Sequence, residues 1–308
     1  MMLGLLFVFI FLFGLAVGSF LNAFLHRLHT GESIFKKEGA WVRSYCPHCR
    51  HELSWQDLIP LLSFVLLKGK CRYCRKKISL QYPLVELAAG FLFIALLYLQ
   101  FQFSDGRFWL LGWQAVAFWV WHLLYWLFLA SALIAIFVYD LKHFLIPDII
   151  LYPAIAIAFL NRLLETVSPH YWTQFGVNDF AFKFLELTKV LNFGFWTLDL
   201  NKLIIPILVG LIAYAFFALI VLVSRGKWMG LGDAKLAFLI GLVLGFPLVA
   251  VALFVAFFAG AIVGIGLVLA KKKTMKSEVP FGPFLVTGTF VALFWGKMII
   301  DWYWSVFV

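Results

Sequence analysis

Charge is scarce in this sequence: Asp, Glu, Lys and Arg make up 13% of its 308 residues, about half the usual share for a soluble domain. A soluble chain of this size needs more polar surface. Hydrophobic residues instead reach 64%, and the mean hydropathy is +0.98. Charge is missing altogether from long stretches such as Ile204 to Val223 and Leu248 to Ala270. Apolar runs of about 18 residues or more read as membrane spans, so a soluble fold is excluded. The first apolar run, Leu3 to Leu25, lacks the basic flank and small-residue cleavage site of a secretory leader. It is expected to be a retained span.

The runs predict an all-α polytopic membrane protein with about eight transmembrane helices, at roughly 3–25, 84–101, 110–138, 149–165, 203–224, 236–246, 248–270 and 283–304. The sixth is too short to cross alone and is expected to borrow residues from its flanks. The loops 26–83, 139–148, 225–235 and 271–282 then share one side and carry nineteen of the 25 Lys and Arg. The positive-inside rule assigns these loops to the cytoplasm and both termini to the outside. The net charge of +10 is therefore a topology signal with the lipid bilayer as partner. It does not indicate nucleic acid, because no basic stripe with interleaved aromatics lies outside those loops.

Three blocks follow: a first span at 1–25, a polar cytoplasmic segment at 26–83 and a membrane core at 84–308. One external stretch of the core, 166–202, mixes charge with aromatics. Within it Phe180 to Val190 carries apolar residues at helical spacing, with Lys183, Glu186 and Lys189 three apart. Two readings stand: an amphipathic helix on the outer interface, or a loop packed on the spans. No internal repeat is evident.

Cysteine is rare too, and all four lie in the one polar segment, as Cys46-Pro-His-Cys49 and Cys71-Arg-Tyr-Cys74. In a reducing compartment they are expected as thiols or metal thiolates. Each two-residue gap lets both sulfurs turn toward one ion, so the pattern predicts a structural Zn²⁺ with four thiolates and no open position. His48 and His51 read as neighbours, not ligands. The 21-residue spacer is absorbed as a hairpin or loop. The metal would add folding energy that so small a segment lacks and hold Gln81 to Leu87 near the membrane. Glu86 there is either an interfacial carboxylate or a binding group for a cationic substrate.

Carboxylates at span ends are costly and so are functional candidates. Asp148, after Pro147, suits a helix N-cap. Asp233 stands in Gly230-Leu231-Gly232-Asp233-Ala234-Lys235, where two glycines allow close backbone approach and positive φ. Asp140 lies at a helix C-terminus, where the dipole disfavours an anion. That suggests a purpose, or a partner such as Lys142 or Lys235. All three meet one membrane face. Two converging carboxylates titrate as a pair, one activating water while the other protonates a scissile carbonyl. A proton-coupled transporter, or simple capping, uses the same residues.

In chain order, five segments resemble the bacterial prepilin peptidases, or type IV leader peptidases, membrane aspartic proteases of the GxGD type. They are Gly18-Ser19-Phe20-Leu21-Asn22 with His26-Arg27-Leu28; the paired knuckles with Tyr82 to Leu87; Asp140 with Ile146-Pro147-Asp148; Gly230 to Lys235; and Pro280-Phe281-Gly282-Pro283-Phe284. The resemblance covers nearly the whole chain. It implies Asp140 and Asp233 as the catalytic pair, with Asp148, Gly230, Gly232, Lys235, Pro280, Phe281 and Gly282 in support. It implies prepilin or pseudopilin substrates whose short basic leader is cut at the cytoplasmic face of the bacterial inner membrane. It further implies methylation of the new N-terminus with S-adenosylmethionine through the cysteine-bearing domain. No glycine-rich nucleotide loop marks that second activity; Glu86 and Gly90 are its candidates. The external stretch 166–202 is longer and more aromatic than the family suggests. The competing readings are a transporter, which would favour repeats and midplane charges, and a zinc-bearing assembly scaffold.

Overall fold

The structure, a computed structural model, describes residues 2–32, 43–103, 113–169, 191–193, 196–198, 200–270 and 279–307. Among these, seven helices are long and apolar enough to cross a membrane, so the chain is a multi-pass membrane protein. They are α1 (Met2–Thr30), α3 (Gln81–Phe103), α4 (Trp113–His143), α5 (Asp148–Thr166), α6 (Asn201–Ser224), α8 (Leu248–Leu269) and α9 (Gly282–Phe307). A short α2 (Leu62–Leu66) and a membrane-core helix α7 (Leu231–Leu244) complete the set. Several helices overrun the apolar runs that predict them. Thus α4 continues through Asp140 to His143 and α1 continues to Thr30.

The chain divides into two compact units, Met1–Ala135 and Ile136–Val308. In the first, α1 and α3 pack antiparallel through small residues. A Cβ on Gly14 would lie 2.7 Å from Gly90 Cα, and one on Gly18 would lie 2.7 Å from Glu86 Cα. The pairs 14 with 90 and 18 with 86 advance one helical turn each, the small-xxx-small packing of membrane helices. Phe11 against Phe91 and Phe13 against Phe93 flank the seam.

The polar segment between these helices forms two alike knuckles. Cys46 N–H donates to His51 O (3.0 Å) and Arg50 N–H to Cys46 O (2.8 Å); Cys71 N–H donates to Lys76 O (2.9 Å) and Arg75 N–H to Cys71 O (3.0 Å). Arg50 and Arg75 both turn left-handed, at φ 56° and 59°. Of the hairpin and loop expected, the spacer is a loop that carries two short helical pieces, a 3-10 turn at Trp55–Leu58 and then α2. The reason is local, since Asp57 Oδ2 reaches back to the Ser54 N–H (3.1 Å) and hydroxyl (2.8 Å), closing an N-terminal box.

The second unit is built around α7. At 14 residues it spans about 21 Å, short of a hydrocarbon core of about 30 Å. It borrows five residues on its N-terminal side, starting at Leu231 rather than 236. Its C-terminal half is buried on every side, from Leu239 to Leu244. Gly241 meets α6 at Gly210, where a Cβ would come 2.6 Å from Gly210 Cα. The short helix leaves carbonyls that lipid cannot satisfy. Buried Arg162 of α5 answers them, with Nε donating to Leu242 O at 2.9 Å and a terminal nitrogen donating to Val243 O.

Among the described residues the architecture is all-α apart from three three-residue strands, β1 (Val167–Pro169), β2 (Leu191–Phe193) and β3 (Trp196–Leu198). They form an antiparallel sheet ordered β1-β3-β2, with Val167 and Leu191 both opposite Leu198. The ends of the external stretch 166–202 are thus tied together, which periodicity alone does not predict. The amphipathic segment Phe180 to Val190 lies outside the described residues.

Candidate active site and metal centre

Helix α4 stops at His143 because Phe144 turns left-handed (φ 56°) and donates its N–H to Asp140 O at 2.9 Å. Asp140 therefore stands in the last turn, against the dipole of its own helix. It is 4% exposed, and its Oδ2 accepts the Gly282 N–H at 3.0 Å. Gly282 opens α9, so this N–H is one of the donors that a helix start leaves unpaired. The positive end of one helix thus offsets the negative end of another. A side chain at 282 would push the carboxylate aside, since a Cβ would stand 2.6 Å from Asp140 Oδ2. The partner is this amide and not Lys142, which is exposed, or Lys235.

Asp233 occupies the first turn of α7. Gly230 before it is extended (φ −84°, ψ 156°), and its carbonyl accepts the Asp233 N–H at 3.3 Å. Neither Gly230 nor Gly232 has positive φ, so the left-handed backbone expected of this pair is not what it provides. Gly232 instead supplies thinness, because a Cβ there would lie 3.1 Å from Ile146 Cβ. Ile146 also lies close to Gly282, 3.4 Å from the position of its missing Cβ. It is a packing residue for both glycines that sequence reasoning passed over, although it directly precedes Pro147. The charge on Asp140 acts on half-buried Asp233. Carboxylates that interact this way titrate as a pair and can divide acid and base roles between them.

Asp148 is the first residue of α5. Its expected role as a side-chain cap gives way to an ion pair: both oxygens accept from Lys235 Nζ, at 2.8 and 2.9 Å. The ammonium also lies over the Tyr152 ring, 5.1 Å from its centre. Tyr152 is a further member missed from sequence, though it stands one turn after Asp148 on the same face. Lys235 follows Asp233 by two residues, so this bridge ties the start of α7 to the start of α5. Pro280 is half-buried. Phe281 accepts the first helical N–H groups of α9, from Phe284 and Leu285, at 3.0 and 3.2 Å. Its ring packs 5.1 Å from Phe257 and 6.0 Å from Phe217. That aromatic wedge fixes where Gly282 presents its N–H.

In the other unit, the sulfurs of Cys46, Cys49, Cys71 and Cys74 all lie within 4.8 Å of one another. Four thiolates around a tetrahedral Zn²⁺ with bonds of about 2.3 Å stand about 3.8 Å apart, and Cys46 Sγ to Cys74 Sγ is 3.9 Å. The set fits one metal ion with no ligand position to spare. Burial pushes the Cys46 thiol up, but the backbone amides of Cys49 and His48 outweigh it and bring it down to about 7. His51 packs against Tyr73 at a tilt of 39°, with ring centres 3.6 Å apart, and is not among the clustered ligand atoms.

Glu86 is 6% exposed, and its Oε2 accepts the Leu61 N–H at 2.8 Å. Leu61 has φ 60°, so the carboxylate steadies a strained turn between the 3-10 turn and α2. Gly90 lies inside the α1–α3 crossing, where a Cβ would come 2.7 Å from the Phe11 ring. Packing alone accounts for its lack of a side chain.

Comparison with known proteins gives a consistent result. A bacterial peptidase A24 N-terminal domain profile matches residues 12–101, and one of the type IV leader peptidase family matches residues 127–265. A protein of Aeromonas hydrophila called prepilin leader peptidase/N-methyltransferase is 30% identical over 97% of this chain and 94% of its own length. Proteins of the same name from Stutzerimonas stutzeri and Bacillus subtilis (strain 168) are each 31% identical, over 93% and 96% of this chain and 89% and 96% of their own lengths. No solved structure matches.

Proposed function

This chain belongs to the type IV leader peptidase family, and from that premise we propose that it removes the basic leader of prepilin-like substrates in the bacterial inner membrane and methylates the new N-terminus. The reading is supported by the placement of Asp140, at the end of α4, and Asp233, at the start of α7, in one compact unit, where the charge of the first acts on the second. One carboxylate takes a proton from water as it attacks the scissile carbonyl while the other protonates the carbonyl oxygen; the first then passes its proton to the nitrogen that leaves as the amine. Gly282 N–H orients Asp140, while Gly230, Gly232, Phe281 and the Asp148–Lys235 pair hold the helix starts that carry this chemistry. Membrane helices 84–308 form the peptidase core, and segment 26–83 holds a structural Zn²⁺ on Cys46, Cys49, Cys71 and Cys74. S-adenosylmethionine supplies the methyl group for the second reaction. The basic loops support a cytoplasmic site with both termini outside.

The test is co-expression with a prepilin. Asp140→Asn and Asp233→Asn should each cut leader removal by about 10²–10⁴-fold while the protein still inserts. Substrate would then run at precursor length. Efficient processing by either variant removes that residue from the mechanism.

A further inference from the structure

The seam between α1 and α3 is apolar until its cytoplasmic-loop end, where it turns polar. Gly14, Gly18, Asn22 and His26 follow one another at four-residue intervals and so form one stripe of α1. Gly14 and Gly18 meet Gly90 and Glu86. Asn22, 2% exposed, meets the next turn of α3: its Nδ2 donates to Tyr82 O and to Gly18 O, both at 3.2 Å. Its Oδ1 accepts from Gln81 Nε2 at 3.1 Å.

Hydrogen-bond accounting at this end does not close. The two carbonyls fix the orientation of the Asn22 amide, because only its nitrogen can donate to them. That in turn fixes Gln81, whose nitrogen must face Asn22 Oδ1. Among the described residues, Gln81 Oε1 is then left buried with no partner, and so is His26 Nε2. A buried unpaired acceptor is costly. Both residues are only half-buried, so the orphan atoms lie just beneath the surface. An amide oxygen accepts and never donates, and an imidazole nitrogen accepts in one tautomer. The missing partner of Gln81 is therefore a donor, and a donor also suits His26 in the tautomer that carries its proton on Nδ1. One turn along α3, the buried Glu86 carboxyl is bonded among the described residues by neutral groups, the Leu61 N–H and the Ser19 hydroxyl, so a cation here would also meet an acidic group.

We propose that His26 and Gln81, oriented by Asn22, form a binding site for a primary ammonium group. The proposal deepens the methyl-transfer reading and rests on it for the identity of the ligand. Two reactants of that step carry such a group, the new N-terminus of the cut substrate and the amino-acid end of the methyl donor. Gln81 Oε1 and His26 Nε2 would each take one N–H, leaving further hydrogens for solvent.

The test measures binding to the full chain in detergent, without turnover. A short apolar peptide with a free N-terminus is compared with its N-acetylated form, and S-adenosylhomocysteine with 5′-methylthioadenosine, which lacks the amino-acid end. Wild type should prefer the amine-bearing member of at least one pair by about tenfold, the scale of a charge-assisted hydrogen bond. Gln81→Leu and His26→Leu should abolish that preference while unfolding at the wild-type temperature. Loss in the peptide pair assigns the site to the substrate, and loss in the nucleoside pair assigns it to the donor. Should the leucine variants fail to fold, Gln81→Glu, which keeps the shape and adds charge, should strengthen the preference. Folded variants that retain both preferences, or a wild type with neither, would overturn the proposal, and a site filled by water alone gives the latter. A failed methylation reading shows separately, as wild type that cuts a prepilin and leaves its N-terminus at unmethylated mass.

Discussion

Asp140 ends a helix whose last carbonyls repel it, and a glycine amide from another helix makes the position tenable. That dependence gives Gly282 a sharper consequence than its sequence context suggests. A Cβ would press on Asp140 Oδ2 at 2.6 Å, so Gly282→Ala should displace the carboxylate. Leader cleavage should then fall by about 10²-fold, the cost expected of misplacing a catalytic group by about 1 Å, while insertion is unchanged. A Gly282→Ala enzyme with wild-type kcat would show that the amide is not needed. Which aspartates to propose was legible in sequence, because carboxylates at span ends are rare and the motifs around them are specific. How they are held was not. Gly282 lies 142 residues from Asp140, and nothing local in either segment names the other. The same distance effect hid the pairing of Asp148 with Lys235, 87 residues away, behind the simpler expectation of a cap.

Among the elements, α7 was the least legible, because its apolar run is too short to span and its role depends on what surrounds it. Arg162 of α5 is the clearest example: in sequence it is one more charge near a span end, yet in the fold it completes the carbonyls at the end of α7. Arg162→Met removes the side-chain donor to those carbonyls and one of the donors to Glu165, whose Oε1 keeps its bond from Asn161 Nδ2 at 2.7 Å. It should cost about 2–4 kcal/mol, read as a lower unfolding temperature in detergent. Arg162→Lys should recover only part, since one ammonium cannot reproduce the fork. The 3-10 turn of the cysteine segment is pH-sensitive for a related reason. Burial pushes the Asp57 carboxyl up, but the bonds from Arg72 (2.6 Å) and Ser54 outweigh it and hold it below the usual range. A carboxylate held low contributes stability above its unfolded value of about 3.9 and loses that contribution as the pH falls through the lower folded value. Asp57→Asn should therefore weaken amide protection around 54–58 at neutral pH, and its difference from wild type should shrink below about pH 4. Hydrogen exchange of that peptide at both pH values checks the sign.

At the scale of the whole molecule, the two compact units are held together internally by different means. The second, Ile136–Val308, buries a continuous apolar interior around α7. The cysteine segment of the first has no such interior: among residues 43–80, only Cys46 and Cys71 are buried. Backbone bonds within the two knuckles cannot substitute, because water competes for them and their net contribution is small. A metal ion on the four sulfurs would then serve as the core of this segment, as it does in small metal-folded domains. Removing it should unfold 43–80 while leaving the second unit intact. Hydrogen exchange after chelation, or in Cys46→Ser, should show protection lost in the knuckles and in the 3-10 turn but kept in α7. With segment 43–80 goes the Leu61 turn that occupies Glu86, so the polar end of the α1–α3 seam loses one of its restraints. Methylation should accordingly fall further than leader removal, for which the proposed aspartates lie in the other unit. Mass measurement of the processed N-terminus separates the two effects in a single sample: cut but unmethylated substrate is the expected product. Equal loss of both activities would mean that the cysteine segment is needed for the peptidase as well.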